Sequence, residues 1–479
     1  YNFLLKNTVI DEPYENMPAA EVGLKKGDVI LAIGDSSMVG KDVAYVSNHL
    51  RGDAGTTFIL TIQRPSVNKK MKFKITRRSI QLPAVPYYGV QDGGVGYLNL
   101  NSFTTGCAKD VRRAFLDMKK QGMTSLVFDL RNNGGGSLQE AVNIVNMFVP
   151  KGITLVKTVG KMERANKEYK TTVEPIDTVM PIVVLVNDET ASASEITSGS
   201  LQDLDRAVVL GTRTYGKGLV QVSMDLPYNG NLKLTSSKYY IPSGRCIQAI
   251  NYKHANGGYT EHVPDSLTHV FHTANGREVR DGGGIKPDVE VRPDSLPNIA
   301  FYLASSGRDS TEVMWNWELQ YLKKHPTIGP AKTFVISDAD FEDFKQAVLK
   351  SGFKYDRESK KYLENLVKLA KFEGYYDDAK GEFDALEKKL NHNLAKDLDY
   401  NKQTLKKVLT SDLVSAYYYQ KGSLENSLQF DKQWKKAVEI LKNPAEYKKL
   451  LQPVVGQPLV KLEPASNVAV DKKQKPKAK

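Results

Sequence analysis

Short apolar runs alternate with amphipathic stretches up to about residue 297, and long polar helices follow. Val29 to Ile33 is an apolar run after the turn Lys25-Lys26-Gly27-Asp28, and Phe58 to Ile62 alternates as a half-buried strand does. Between them, Asp42 to Leu50 places Val43, Val46 and Leu50 on one side of a helix, while Arg64-Pro65 and the Lys-rich Asn68 to Lys74 predict a hairpin. Residues 1–78 therefore read as a small β-rich domain. In residues 79–297, Ser125 to Leu130, Pro181 to Val186 and Ala207 to Leu210 have the unbroken apolar character of buried strands. Helical spacing over Lys109 to Lys120, Leu138 to Val149 and Glu189 to Leu204 alternates with them, which predicts a layered α/β core. Residues 298–452 read as a helical domain. Asp340 to Leu349 carries Phe341, Phe344, Ala347 and Val348 on one face, with Gly352 as a stop, and Tyr362 to Ala370, Phe383 to Leu394 and Trp434 to Leu441 repeat the habit. Residues 453–479, rich in Pro and Lys, are expected to form a flexible basic tail.

Composition narrows the class. The 479 residues are 41% hydrophobic and 25% charged, which excludes wholesale disorder and suits a multidomain globular chain. No run approaches the roughly 20 apolar residues of a membrane-spanning helix. Two cysteines, Cys107 and Cys246, exclude a disulfide framework or a Cys-rich zinc module. The net charge of +12 is spread along the chain apart from the Lys-rich end, so it reads as solvated surface and not as a nucleic-acid interface. The chain starts at Tyr1 with no basic-then-apolar signal segment, as a mature or trimmed chain would.

Two segments carry candidate chemistry. Asn187-Asp188-Glu189-Thr190-Ala191-Ser192-Ala193-Ser194-Glu195-Ile196 follows a predicted strand and opens a helix. A serine there meets free backbone N–H groups and the positive end of the helix dipole, both suited to developing negative charge. The same letters, Ser192-Ala193-Ser194-Glu195, also spell a capping box, which needs no catalysis. Gly211-Thr212-Arg213-Thr214-Tyr215-Gly216-Lys217-Gly218 nearly spells a phosphate-binding P-loop. Gly218 replaces the hydroxyl that would hold magnesium, however, and Leu219 to Leu226 predicts a strand where a P-loop needs a helix. Gln221 lies four residues beyond Lys217, on the same face of a regular strand. There is no H-E-x-x-H and no G-x-S-x-G. His254, His262, His269 and His272 cluster in a Gly- and Asn-rich stretch that reads as a solvated loop, and a Ser–His pair using one of them stays open.

The words in order resemble the C-terminal processing peptidases, or tail-specific proteases. Ser192 to Ile196, Leu201-Gln202-Asp203, Arg206-Ala207 and Gly216 to Gln221 carry the resemblance, with Asp129-Leu130-Arg131-Asn132-Asn133-Gly134-Gly135-Gly136, Leu234-Thr235, Tyr239 to Arg245 and Gly283 to Asp288. Met17-Pro18-Ala19-Ala20, Gly23 to Ile30 and Leu50 to Thr56 resemble a PDZ domain, one whose N-terminal carboxylate-binding strand is missing from this chain. The resemblance covers roughly residues 12–295. It implies a crotonase-like (ClpP/crotonase) α/β protease core, Ser192 as nucleophile, Lys217 as general base and Gln221 as its support. It also implies oxyanion donation from Ala193 N–H and from the Gly134–Gly136 turn, with Gly135 and Gly136 the candidates, and a structural part for Asp203.

The implied chemistry is coherent. A serine hydroxyl needs a base to take its proton, and a lysine of reference pKa about 10.4 serves near neutral pH only if burial lowers it by about 3–5 units. No metal and no organic cofactor is called for. The implied partners are protein or peptide substrates with apolar C-termini, further copies of the chain and adaptor proteins, and the implied location is the periplasm or cell envelope. A different class stays open: a peptide-binding or assembly protein that uses its PDZ-like and helical regions while the dyad idles.

Overall fold

The computed structural model describes residues 6–249, 264–305, 311–390 and 393–453. The chain divides into two compact units, Tyr1–Gln81 with Asp294–Phe430, and Leu82–Pro293 with the segment beginning at Asp431. Domain boundaries drawn along the sequence at 297 and 452 therefore do not follow the packing, because the last helices leave the helical region and fold with the core. Of the predicted tail only Pro453 falls within the described residues, as do neither His254 nor His262.

In the first unit, Val29–Ile33, Ser36–Ser37, Thr57–Arg64 and Lys69–Thr76 form a four-stranded antiparallel sheet. Asp42 caps the helix Val43–Leu50 by accepting from Tyr45 N–H at 2.7 Å. Leu24, Ile30, Ile33, Met38, Val46, Leu60 and Ile62 make its core. Helices follow from Asn298 on. Asp338–Ser351 starts with a capping box at Ser337 and Asp340 and ends at Gly352, whose φ of +78° is the left-handed stop anticipated there. Trp317, Tyr321, Phe341 and Phe344 are buried with Leu405, Leu409 and Leu413. Tyr362 is 72% exposed, so the burial of helical aromatics stops short of the helix Glu358–Glu373.

The second unit is built on a six-stranded sheet in the order Val289–Glu290, Val208–Gly211, Ile182–Val186, Ser125–Asp129, Val95–Asn99, Tyr87–Gln91. It is parallel except for the last pair. Every residue of Ser125–Asp129 and Ile182–Val186 is buried, as strands covered on both faces require. The helices Cys107–Lys120, Leu138–Val145 and Ala193–Asp203 supply the cover, joined by Lys432–Leu441 and Pro444–Leu450 from the end of the chain. A second, antiparallel sheet runs Leu219–Leu226, Gly230–Tyr240, Thr154–Gly160, Lys167–Lys170. Among the described residues no helix is long and apolar enough to cross a membrane.

Candidate active site

Ser192 stands at the turn between the strand Ile182–Val186 and the helix Ala193–Asp203. The helix starts at Ala193 and not at Glu189, because Asn187 to Thr190 forms a turn of its own. Asn187 N–H donates to Thr190 Oγ1 at 2.9 Å, Thr190 N–H to Asn187 O at 3.0 Å, and the Thr190 hydroxyl to Leu130 O at 2.9 Å. Ser192 has φ +58° and ψ −115°, a backbone that costs a non-glycine residue roughly 1–3 kcal/mol and persists only where the surroundings impose it. They do so here, since all eleven residues of the following helix are buried. Such strain at a strand-to-helix turn is how a serine hydroxyl is lifted out of the regular ladder.

The Asn132–Gly136 turn lies directly against it. Asn133 O accepts from Ala191 N–H at 3.0 Å and from the Ser194 hydroxyl at 2.9 Å, and Asn187 Nδ2 donates to Asn132 Oδ1. A Cβ built on Gly135 would fall 2.7 Å from Ser192 Cβ and 2.8 Å from Ala193 N, so only glycine permits this approach. Among the described residues the Ala193 N–H, first of its helix, finds no acceptor, and neither do the N–H groups of Gly134 and Gly136. Gly135 N–H donates to Asn133 Oδ1 at 2.9 Å. That bond occupies the Gly135 N–H in this arrangement, while Gly135 itself packs closely against Ser192 and Ala193.

Lys217 lies in the loop between Val208–Gly211 and Leu219–Leu226. Its backbone is fixed, but its side chain is half-exposed and makes no hydrogen bond or ion pair with Ser192 or Gln221. Gln221 is exposed. The same-face argument fails because the strand begins only at Leu219 and its register slips between Val220 and Gln221.

What joins Ser192 to Lys217 is a residue the sequence reading used only as a cap. Glu195 is fully buried. Its carboxylate accepts from Ser192 N–H at 2.9 Å, Lys217 N–H at 2.9 Å, Gly216 N–H at 2.7 Å and the Thr214 hydroxyl at 2.6 Å. Burial pushes this carboxyl above the ordinary carboxylate range, and the four donors pull it back. Across from it the buried Tyr239 hydroxyl lies 2.6 Å from Lys217 O and 3.3 Å from Ser192 O. The available signal was Glu at the third helical position together with a tyrosine in the Tyr239–Arg245 word.

The same bonds dispose of the phosphate loop. Gly216 and Lys217 aim their N–H groups at Glu195, Gly218 N–H donates to Gln248 Oε1 at 2.6 Å, and a strand follows. Asp203 is fully buried, accepting from Arg245 Nη2 at 2.7 Å and Ser243 N–H at 3.0 Å. His269 pairs with Asp281 at 3.1 Å on the surface, and neither it nor His272 bonds to Ser192. Among the described residues no group of three or more His, Cys, Asp or Glu is arranged to hold a metal.

Known proteins agree with the class that this fold and site define. Residues 94–254 match the model for peptidase family S41, residues 9–64 a PDZ domain, and residues 302–441 a probable PDZ-protease C-terminal helical domain. The carboxy-terminal-processing protease of Bartonella bacilliformis is 38% identical over 242 residues, 50% of this chain and 55% of its own length. A probable CtpA-like serine protease of Staphylococcus aureus (strain MRSA252) is 31% identical over 366 residues, 75% of this chain and 61% of its own. The chain thus spans about half to three-fifths of these curated relatives. A solved structure, the photosystem II D1 C-terminal processing protease, aligns over 62% of this chain and 72% of its own at 28% identity, with a TM-score of 0.34. The core segment is similar to peptidase family S41, and the chain resembles the C-terminal processing peptidases, as its motifs indicate.

Proposed function

We propose that this chain is a serine endopeptidase that cuts protein substrates at or near their C-terminal tails through an acyl-enzyme formed on Ser192. The observation that carries the reading is the free Ala193 N–H beside the glycine turn, one residue after a serine held at φ +58°. Neutral Lys217 takes the Ser192 proton as Oγ attacks the scissile carbonyl, and the oxyanion forms toward Ala193 N–H and the Gly134–Gly136 turn. One such donor is worth roughly 3–4 kcal/mol in the transition state. The lysine then gives its proton to the leaving amine, and water, deprotonated by the same lysine, releases the acyl group.

Because Lys217 is half-exposed and its side chain has no bond to Ser192 or Gln221, seating of an apolar tail is the step that excludes water from it. Gln221 joins the lysine only in that closed arrangement. The PDZ domain recruits the apolar C-terminus, and the exposed Tyr362, Leu366, Leu369 and Phe372 of the helix Glu358–Glu373 offer a face for another copy or an adaptor. A cell-envelope location, periplasmic in a two-membrane cell, follows from the same resemblance and is checked by cell fractionation. Hydrolysis of an unstructured protein by the full chain but not by Ser192→Ala tests the activity. Equal turnover by both chains, or by neither, sinks it and favours a binding or assembly protein.

A further inference from the structure

Arg131 opens the turn that faces Ser192, and the structure holds it from the far end of the chain. Its guanidinium is partly buried between two carboxylates. One, Asp129, is its near neighbour and accepts Arg131 Nε at 2.9 Å, while also accepting the Tyr97 hydroxyl at 2.6 Å. The other is Asp431, whose Oδ2 lies 2.7 Å from Arg131 Nη1, and the same nitrogen donates to Gln433 Oε1 at 2.8 Å. Gln433 is 2% exposed and its amide donates on to Val291 O at 2.6 Å. Trp434, next in line, stacks edge-on against Tyr97 with centroids 5.5 Å apart. All of these residues lie in the same unit.

We propose that Asp431 and Gln433 are positioning residues for the oxyanion turn, acting through Arg131. This rests on the serine-peptidase reading of Ser192. The chain from Arg131 to Gly136 has two sides. One is bolted to the nucleophile by the Asn132–Asn187 and Asn133–Ala191 bonds, and the other is bolted by Arg131 to the start of the helix Lys432–Leu441. With Asp431 removed, Arg131 keeps Asp129 but loses the partners that fix its far edge, and the free N–H groups of the turn lose their aim. Donors must be placed closely to act: a shift of about 1 Å near the chemistry costs about a hundredfold in rate.

Asp431 also caps its helix, through Oδ1, which accepts from Gln433 N–H at 2.8 Å and Trp434 N–H at 3.0 Å. Asparagine caps equally well, so Asp431→Asn removes the negative charge facing Arg131 and leaves the helix its cap. The test uses the full chain and its Asp431→Asn, Gln433→Met and Tyr447→Phe variants. Tyr447 anchors the following helix through bonds to Ile182 N–H and O, and neither bond involves the turn. Peptide hydrolysis, the rate of Ser192 labelling by a fluorophosphonate and the melting temperature are measured on each. Asp431→Asn and Gln433→Met are expected to lower kcat and the labelling rate by about tenfold to a hundredfold with KM within about twofold. Tyr447→Phe should lower only the melting temperature, and Asp431→Glu should restore part of the labelling rate. Asp431→Asn and Gln433→Met labelled as fast as the parent chain would overturn the positioning role alone. A parent chain that neither labels at Ser192 nor hydrolyses peptide would overturn the peptidase reading and this one with it.

Discussion

Ser192 and Lys217 are joined through their backbones and not through their side chains: each donates its N–H to the Glu195 carboxylate at 2.9 Å. The two loops that a Ser–Lys pair requires are thus registered by one buried acid before any substrate arrives. With four donors already on its two oxygens, Glu195 has no capacity left to act on a substrate. It holds.

Glu195→Gln tests that role. Whichever way the amide turns, its NH2 faces two of the four donors, and leaving buried donors unpaired costs about 1–3 kcal/mol each. The variant should melt lower and turn over about a hundredfold slower. Kinetics on the folded fraction check it, and full activity would show that the registration is not needed.

Activity should vanish in Ser192→Ala and Lys217→Ala, and equally in Lys217→Arg, because a guanidinium stays protonated throughout the working range. Ser194→Ala should keep its turnover while losing about 1 kcal/mol of stability, since the buried hydroxyl only donates to Asn133 O at 2.9 Å. Near-native hydrolysis by Lys217→Arg would remove lysine as the base.

How far the sequence reached depends on how local the cause was. Strands buried on both faces, such as Ile182–Val186, are continuous apolar runs, and the stop at Gly352 is a one-residue effect, so both were legible. The helix start at Ala193 was not, because it turns on the side-chain bonds of Asn187 and Thr190. The capping-box letters pointed to Glu195 but not to its work, since Thr214, Gly216 and Lys217 reach it from a loop about twenty residues on. The register slip between Val220 and Gln221 is a bulge that no periodicity shows. Asp431 lies about three hundred residues along the chain from Arg131, and nothing in spacing connects the two.

The first unit should lose stability as pH rises from about 5 to 8. Burial pushes the Glu318 carboxyl up to about 8, with Asp412 raising it further and Lys26, at 3.4 Å, pulling it down. A carboxyl whose proton is held more tightly in the folded state contributes stability that is complete below its unfolded value. That contribution is lost as pH climbs through the folded one. Glu318→Gln, which stays neutral, should flatten this slope in melts taken across the range. An unchanged slope would exclude Glu318 as its source.

Hydrolysis should survive chelators and iodoacetamide and should not respond to ATP. Burial beside Glu140 pushes the Cys107 thiol up to about 12, far from a reactive thiolate, and burial raises Cys246 as well. The N–H groups that would cradle a phosphate are spent on Glu195 and Gln248. Loss of activity on alkylation, or saturable magnesium-dependent ATP binding, would contradict this account of the site.

Truncation after Phe430 should damage the protease core itself, and not merely remove an appendage. Trp434, Ala437, Ile440, Leu441 and Tyr447 are all buried, and the Tyr447 hydroxyl closes two bonds on Ile182 in a central strand. Losing four large apolar side chains from such a site removes about 1.5–3 kcal/mol each, which exceeds half of a typical domain's whole stability. Arg131 would also be left with Asp129 alone. The truncated chain should therefore unfold at lower temperature, expose apolar surface to a reporter dye and fail to label at Ser192. A truncated chain as stable and as readily labelled as its parent would show that these helices are dispensable to the core.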